Sequence, residues 1–291
     1  MSDVEVARPV SSTALLASGV RRAVLRRAGA SSAGGGLPDV TLHRHGVRPD
    51  PATVTAYQQL VGEEVRDVLP AGYLHTLAFA LHAAMLARAD FPLPPLGMVH
   101  LANRVELHRA VRVDEELDVR LRAENLAGHR RGTAIDLVAE ISTDDDVVWR
   151  GVSTYLAKGV HLPGVEAAPD GERPEWSAPT PTGSWRLPAD TGRRYAAVSG
   201  DHNPIHTSRV AARAFGFARP IAHGMLTAAR ALADVGAAAR GEAYVWEVEF
   251  ATPVLLPATV SVQVAPDGPD GGYALAAWSR KPHLLGRVAP M

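Results

Sequence analysis

The strongest constraint on this chain is that it repeats its own hydrophobic pattern at long range. Arg104-Val105-Glu106-Leu107 leads to Leu117-Asp118-Val119-Arg120-Leu121, and Glu247-Val248-Glu249-Phe250 leads at the same spacing to Val260-Ser261-Val262-Gln263-Val264. Upstream, Tyr57 and Gly62 are spaced like Tyr195 and Gly200, and His75 and His223 each sit just before an apolar helical stretch. Matches that keep one order in both halves read as duplication of a single unit. Within each half, period-two alternation marks strands: Leu117, Val119, Leu121; Ile135, Leu137, Ala139, Ile141; Val260, Val262, Val264. Tyr244, Trp246, Val248 and Phe250 fall on one strand face, and Asp144-Asp145-Asp146 is a polar turn between two such runs. Before the strands comes one long apolar helix per half, around Leu74–Arg88 and Gly224–Ala239. The second carries a stripe of Met225, Leu226, Ala229, Leu232 and Ala233. A helix followed by an antiparallel meander, made twice, predicts an α+β fold of two units. A helix apolar on so many sides is expected to be wrapped by its sheet.

The breakers place the boundaries. Residues 161–184 carry Pro163, Pro169, Pro174, Pro179 and Pro181 with Gly164, Gly171 and Gly183, a density that suits an irregular linker. The units are therefore expected at residues 37–160 and 185–291. Residues 1–36 look like a leader or tail. In it, Ala14 to Ala28 predicts an Arg-bearing amphipathic helix lying on the protein, ended by Gly34-Gly35-Gly36. A length of 291 residues at 46% hydrophobic content suffices for one large domain or two modest ones. The net charge of -1 gives no reason to expect a nucleic-acid partner. The absence of cysteine excludes disulfides, thiolate zinc sites and Cys nucleophiles. No apolar run approaches the roughly 20 residues needed to span a bilayer. The opening Met-Ser-Asp-Val-Glu lacks the basic start of a secretory signal, so a cytoplasmic protein is expected.

The segment that carries chemistry is Tyr195-Ala-Ala-Val-Ser-Gly-Asp-His-Asn-Pro-Ile-His206. Gly200 lets the backbone bend and Pro204 fixes a φ angle, so Asp201, Asn203 and His206 can be aimed at one point. A carboxylate beside an imidazole can share a water and move a proton, and the imidazole titrates near neutrality. Then Arg219-Pro220-Ile221-Ala222-His223-Gly224-Met225 leads into the apolar helix. A helix start offers unpaired N–H groups and a positive dipole end, and Gly224 would let a ligand approach the backbone. Such a place could hold a thioester oxygen as it becomes enolate-like. His223 itself reads as a structural, hydrogen-bonded histidine, and His202 points to solvent as readily as to the site. Other chemistries lack their patterns. His43-x-His45 is one metal-like spacing, but with no Cys and no HExxH sequence no metal is expected. Ser199 lacks the Gly-x-Ser-x-Gly context of a serine hydrolase, and Gly34-Gly35-Gly36 has no Lys-Ser/Thr after it.

At these residues the chain resembles a known family. Tyr195 to His206 is similar to the hydratase 2 signature of MaoC-like (R)-specific enoyl-CoA hydratases, with its core Gly-Asp-x-Asn-Pro-x-His. Ala222-His223-Gly224-Met225 resembles the motif with which the family opens its long helix, and the chain looks most like acyl dehydratases of the actinobacterial double type. The resemblance implies a double hot-dog fold, two units each with a long helix wrapped by an antiparallel sheet. It implies reversible hydration of trans-2-enoyl thioesters, or dehydration of (3R)-hydroxyacyl thioesters, in fatty-acid-type metabolism. By it, Asp201 and His206 are catalytic, Asn203 orients them, and Gly224 with His223 binds the substrate at the helix mouth. No cofactor is implied beyond the pantetheine arm of an acyl-CoA or acyl carrier protein substrate, and a homodimer is among the assemblies it allows. The first half departs from the pattern, since Gly62 is followed by Glu63-Glu64 with no Asn-Pro-x-His. One active site per chain is therefore expected, the first half giving structure and an acyl pocket lined by Tyr73, His75 and Phe79. Two rivals stand beside this. A thioesterase on the same fold would carry its carboxylate on the long helix, where only Asp234 is available, far from the helix start. A non-catalytic acyl-thioester-binding partner would have lost the Asp/His pair, which this chain keeps.

Overall fold

A computed structural model describes residues 2–6, 36–95, 97–166, 175–269 and 271–291. Segments that alternate apolar and polar side chains become strands because only a pleated backbone puts every second side chain on one face. Thus Leu117, Val119 and Leu121 are buried while Asp118 and Arg120 face solvent in β4 (Leu117–His129). β5 (Gly132–Thr143) and β6 (Asp146–Lys158) continue the meander, turned by Asp144 and Asp145 at φ 49° and 68°. Asp is one of the few residues that tolerates this left-handed region. With β1 (Ser2–Glu5), β2 (Val40–Val47) and β3 (Met98–Leu107) these form the first half of the sheet. The second half consists of β7 (Gly183–Leu187), β8 (Tyr244–Phe250), β9 (Ala258–Asp267), β10 (Gly272–Trp278) and β11 (Pro282–Pro290).

All eleven strands belong to one sheet, ordered β1-β2-β4-β5-β6-β3-β8-β11-β10-β9-β7. Apart from the parallel edge strand β1, the order is a palindrome: β2-β4-β5-β6-β3 on one side mirrors β7-β9-β10-β11-β8 on the other. Arg104 and Glu247, which the sequence repeat equates, face each other across the β3–β8 seam and form an ion pair. The local two-fold relating the halves therefore passes between them.

Each half supplies a short and a long helix. α1 (Pro51–Val61) and α3 (Thr191–Ser199) both end on a glycine in the left-handed region, Gly62 at φ 80° and Gly200 at φ 73°. α2 (Ala71–Ala87) is buried on nearly every side, with Leu74, Leu81 and Met85 fully covered. Burial of each such side chain is worth about 1.5–3 kcal/mol, which fixes the helix against the sheet. Its counterpart α6 (Gly224–Val235) buries Leu226, Ala229 and Leu232. The helix stops earlier than its apolar pattern suggests, because Gly236 at φ 81° breaks it and Ala237–Arg240 forms a separate turn, α7. Between α3 and α6 lie two more short helices, α4 (Pro204–Thr207) and α5 (Arg209–Ala214).

The topology corrects one equivalence read from sequence. Isolated bridges Val68–Arg112 and Ile221–Leu255 sit just before α2 and α6, so Pro70 at the cap of α2 corresponds to His223 at the cap of α6. His75 is one turn inside α2 and is not the counterpart of His223. Ser2–Glu5, in the segment read as leader, form β1. The helix expected at Ala14 to Ala28 lies outside the described residues. The described parts of 161–184 hold no helix or strand before β7 begins at Gly183.

Candidate active site

The site is built where α3 ends. Gly200 turns the chain out of the helix, and the Asp201 N–H donates to Ser199 Oγ at 3.2 Å. The main-chain N–H of Asn203 donates to Asp201 Oδ1 at 3.1 Å, a local turn that fixes the carboxylate. Pro204 then starts α4 at its first position, where a missing N–H costs nothing. Asn203 Oδ1 accepts from the Ile205 N–H at 3.4 Å, so its side chain caps α4. Asn203 thus bonds Asp201 through its backbone and the start of α4 through its side chain.

His206 sits in α4 and is 9% exposed. Its Nδ1 bonds the Ile221 carbonyl at 2.9 Å. A carbonyl only accepts, so Nδ1 carries the proton and Nε2 of the neutral ring keeps its lone pair. The main chain of His206 is seated against Gly192 in α3, where a Cβ would collide with the His206 carbonyl. His223 caps α6, donates from Nε2 to the Asp201 carbonyl at 3.0 Å, and stacks on His206 with ring centroids 3.7 Å apart. It is the clamp between the loop and the helix mouth. Behind it, Tyr195 packs at 4.8 Å.

Donor atoms of Asp201, His206 and His223 lie within 4.8 Å of one another. One water fits between a carboxylate oxygen and an imidazole nitrogen at such a separation. Three donors also match the number a metal needs, but the two rings are only 26° from parallel. Rings stacked in this way limit how their lone pairs can meet at one ion. Burial raises the Asp201 carboxyl above its usual range, against the opposing pull of His206 and the Asn203 N–H. Burial likewise lowers His206, offset in part by Asp201 and by the Ile221 carbonyl. Both shifts favour neutral forms, so proton exchange between the two groups is made easier.

At the first turn of α6, Gly224 lies with the Phe250 ring against its Cα, where a Cβ would come within 3.0 Å of that ring. The Gly224 N–H has no i−4 carbonyl inside the helix to take it. Thr227 Oγ donates back to the Gly224 carbonyl at 2.7 Å and stiffens the turn. The acid of α6, Asp234, accepts from Trp185 Nε1 at 2.8 Å near the far end of the helix and is remote from this mouth.

Sequence reasoning missed residues that the first half brings up. Tyr155 of β6 is partly buried and lies close enough to Asp201 for the carboxylate's charge to oppose its ionisation. His100 of β3 stacks on Tyr155 at 4.6 Å and meets Phe250 at 5.0 Å. Neither belongs to a motif; only strand register signals them, since His100 and Tyr155 are partners across β3 and β6. Of the pocket residues expected, His75 joins this group at 6.1 Å from His100, and Phe79 lies at 6.5 Å from His82. Tyr73 turns instead toward Tyr57 of α1 at 5.5 Å.

Residues 167–272 match the MaoC-like domain. Over 256 residues the chain is 40% identical to the 3-hydroxyacyl-thioester dehydratase X of Mycobacterium tuberculosis, spanning 87% of this chain and 90% of that protein. The chain belongs to the MaoC-like dehydratase family. Among solved structures of that family, HtdX of Mycobacterium tuberculosis superposes with a TM-score of 0.74 at 36% identity, covering 86% of this chain and all 100% of that one. A second Mycobacterium tuberculosis protein, described as having a double hot-dog fold, matches with a TM-score of 0.50 at 15% identity over 85% of this chain and 95% of its own. This MaoC-like protein is thus an α+β double hot-dog, two helices each held against its half of a shared sheet.

Proposed function

We propose that the protein is a hydro-lyase that interconverts (3R)-hydroxyacyl thioesters and trans-2-enoyl thioesters, carried on CoA or an acyl carrier protein, in fatty-acid-type metabolism. The observation that carries this reading is the Asp201 carboxylate and the His206 imidazole, within 4.8 Å of each other beside the mouth of α6. In the hydration direction, a water between them bonds C3 as its proton passes to the pair. The electron pair of the C2–C3 double bond moves toward the thioester oxygen, and the Gly224 N–H would receive that developing charge. The proton then returns to C2. Dehydration runs the same steps backwards. Electrostatic preorganisation and proton transfer suffice for this chemistry, so the reading needs no metal and no cofactor beyond the pantetheine arm. His223 positions the loop by holding the Asp201 carbonyl.

The proposed division of labour follows the duplication: residues 185–291 hold the reacting groups, and residues 37–160 cover the acyl chain. No helix among the described residues is long and apolar enough to cross a membrane. A cytoplasmic location and a homodimeric assembly complete the proposal, the latter to be measured by light scattering. Purified protein should consume crotonyl-CoA, seen as loss of enoyl-thioester absorbance, and chiral chromatography should identify (3R)-hydroxybutyryl-CoA. Asp201→Asn and His206→Ala should each lower kcat by about 10²–10⁴ with the fold retained. Wild-type turnover in both folded variants refutes these roles.

A further inference from the structure

Beside the candidate site, the first half holds a group of side chains that the reaction does not use. From Gly224 the Phe250 ring leads to His100 at 5.0 Å, His100 to Tyr155 at 4.6 Å, and Tyr155 to His82 at 6.1 Å. His75 closes the group, 5.4 Å from His82 and 6.1 Å from His100. An apolar acyl chain would be served by leucine or phenylalanine here. Instead there are three imidazoles, and each has a buried ring nitrogen with no hydrogen-bond partner among the described residues: His75 Nδ1, His82 Nε2 and His100 Nε2. A buried polar atom left unpaired costs stability, so a row of three needs an explanation.

The rings are kept neutral. Burial lowers His75 to about 4 and His100 to about 3, and it lowers His82 in the same direction. The main chain of Ala102 bonds His100 in the sense that raises its proton affinity, as a carbonyl taking a ring N–H does. The free His100 Nε2 is then an acceptor. His82 Nδ1 is 3.3 Å from the Tyr155 hydroxyl, which fixes that ring by its other nitrogen. Neutral rings do not draw an anion, and although a neutral imidazole can bind a metal, the donor atoms of these three do not cluster closely enough among the described residues to share one. They fit a group that both donates and accepts, and a hydroxyl is the smallest that does so.

We propose that His75, His82, His100 and Tyr155 form a hydrogen-bonding subsite for an acyl chain that bears a hydroxyl group beyond C3. The proposal rests on the dehydratase reading for the position of the thioester at Gly224. The subsite is reached from that position through the Phe250 ring, which touches Gly224 and lies 5.0 Å from His100, and Tyr155 is its member nearest to Asp201's charge. A pocket built to bond a hydroxyl discriminates strongly against the chain that lacks it, because its own polar atoms then stay unpaired.

Calorimetric titration of the purified protein with octanoyl-CoA and with octanoyl-CoA hydroxylated singly at C5, C6, C7 or C8 tests this without needing turnover. At least one hydroxylated compound should bind about tenfold more tightly than octanoyl-CoA, and His82→Phe, His100→Phe or the milder His82→Gln should bring the two together. Equal affinity of the wild-type protein for all five compounds overturns the proposal. So does an equal loss of affinity for free CoA in the folded variants, which would assign the imidazoles to the pantetheine amides. Discrimination with no hydration of any enoyl-CoA would keep the subsite and refute the dehydratase reading alone.

Discussion

Glu63 of the first half grips Arg240 of the second through two 2.8 Å bonds, and both side chains are almost wholly buried. Glu63 follows the α1 cap Gly62 as Asp201 follows the α3 cap Gly200. Where one copy of the duplicated unit places an acid beside His206, the other holds its acid in a clamp. Arg240 adds a bond to the Leu232 carbonyl and lies 5.9 Å from the centre of the Tyr244 ring.

Breaking that clamp should weaken the fold without touching the chemistry. Arg240→Met leaves Glu63 buried and unpaired, and should cost about 3–5 kcal/mol in urea unfolding. The pair Glu63→Gln with Arg240→Met should cost less than the two single changes added together. A loss equal to that sum would show that the pair is not coupled.

Gly192 should matter through His206. Its Cα touches the His206 main chain, so Gly192→Ala must push α4 away from α3. Displacement by about 1 Å can cost on the order of 10²-fold in rate. Crotonyl-CoA hydration should therefore fall by about that factor while unfolding shifts little, since α4 is a single surface turn. An unchanged kcat would mean that α4 accommodates the methyl without moving the imidazole.

Activity should fail in acid. The water-activating step needs a neutral His206 and an ionised Asp201. Burial lowers the first below 6.5 and raises the second above 3.8, so the imidazole stays neutral to lower pH, and the carboxylate takes up its proton at higher pH, than either would in water. The rate profile for kcat/KM should be flat near neutrality and drop only at lower pH than free imidazole would give. An NMR titration of the His206 ring centred at or above pH 6.5 would contradict the direction of its shift.

Stability should fall over the same range, for a partly separate reason. His75, His82, His100, His206 and His223 all bind protons more weakly folded than unfolded, because burial penalises the charged ring. Folding is therefore favoured above pH 6.5 and loses that advantage as pH drops toward the folded values. Each histidine contributes about 1.4 kcal/mol per pH unit while only the unfolded form is charged. Asp201, Asp234 and His45 act in the opposite sense, since their folded pKa values are raised, but they are fewer than the five histidines. Urea titrations at pH 7 and 5 should show a clear fall, reduced in His82→Phe. Equal stability at the two pH values would mean the imidazoles are hydrated.

Much of this was legible in the residues themselves. The strand alternation of Leu117 to Leu121, the Asp144-Asp145 turn and the burial of α2 follow from local patterning, which needs no partner to be recognised. The loop chemistry at Asp201, Asn203 and His206 is compact enough to be read as one motif. The His75–His223 equivalence failed because both precede apolar runs, and only the bridges at Val68 and Ile221 fix which residue caps which helix. Which of Asn203's bonds runs through its side chain and which through its main chain was not visible, because both belong to one residue in sequence.

The sequence by itself determined the duplication, which shows as like short runs in like order, and the α+β pattern within each half and the acid and imidazole of one loop, which lie in short stretches of contiguous residues. Tertiary structure alone decided that the halves share one sheet at Arg104 and Glu247, that Glu63 is spent on Arg240, and that Tyr155 and His100 stand beside a site more than 40 residues away in the chain. The physical reason is that local preference sets which face of a strand or helix is apolar. Which face meets which is set only when the whole core closes and every buried polar group must find its partner.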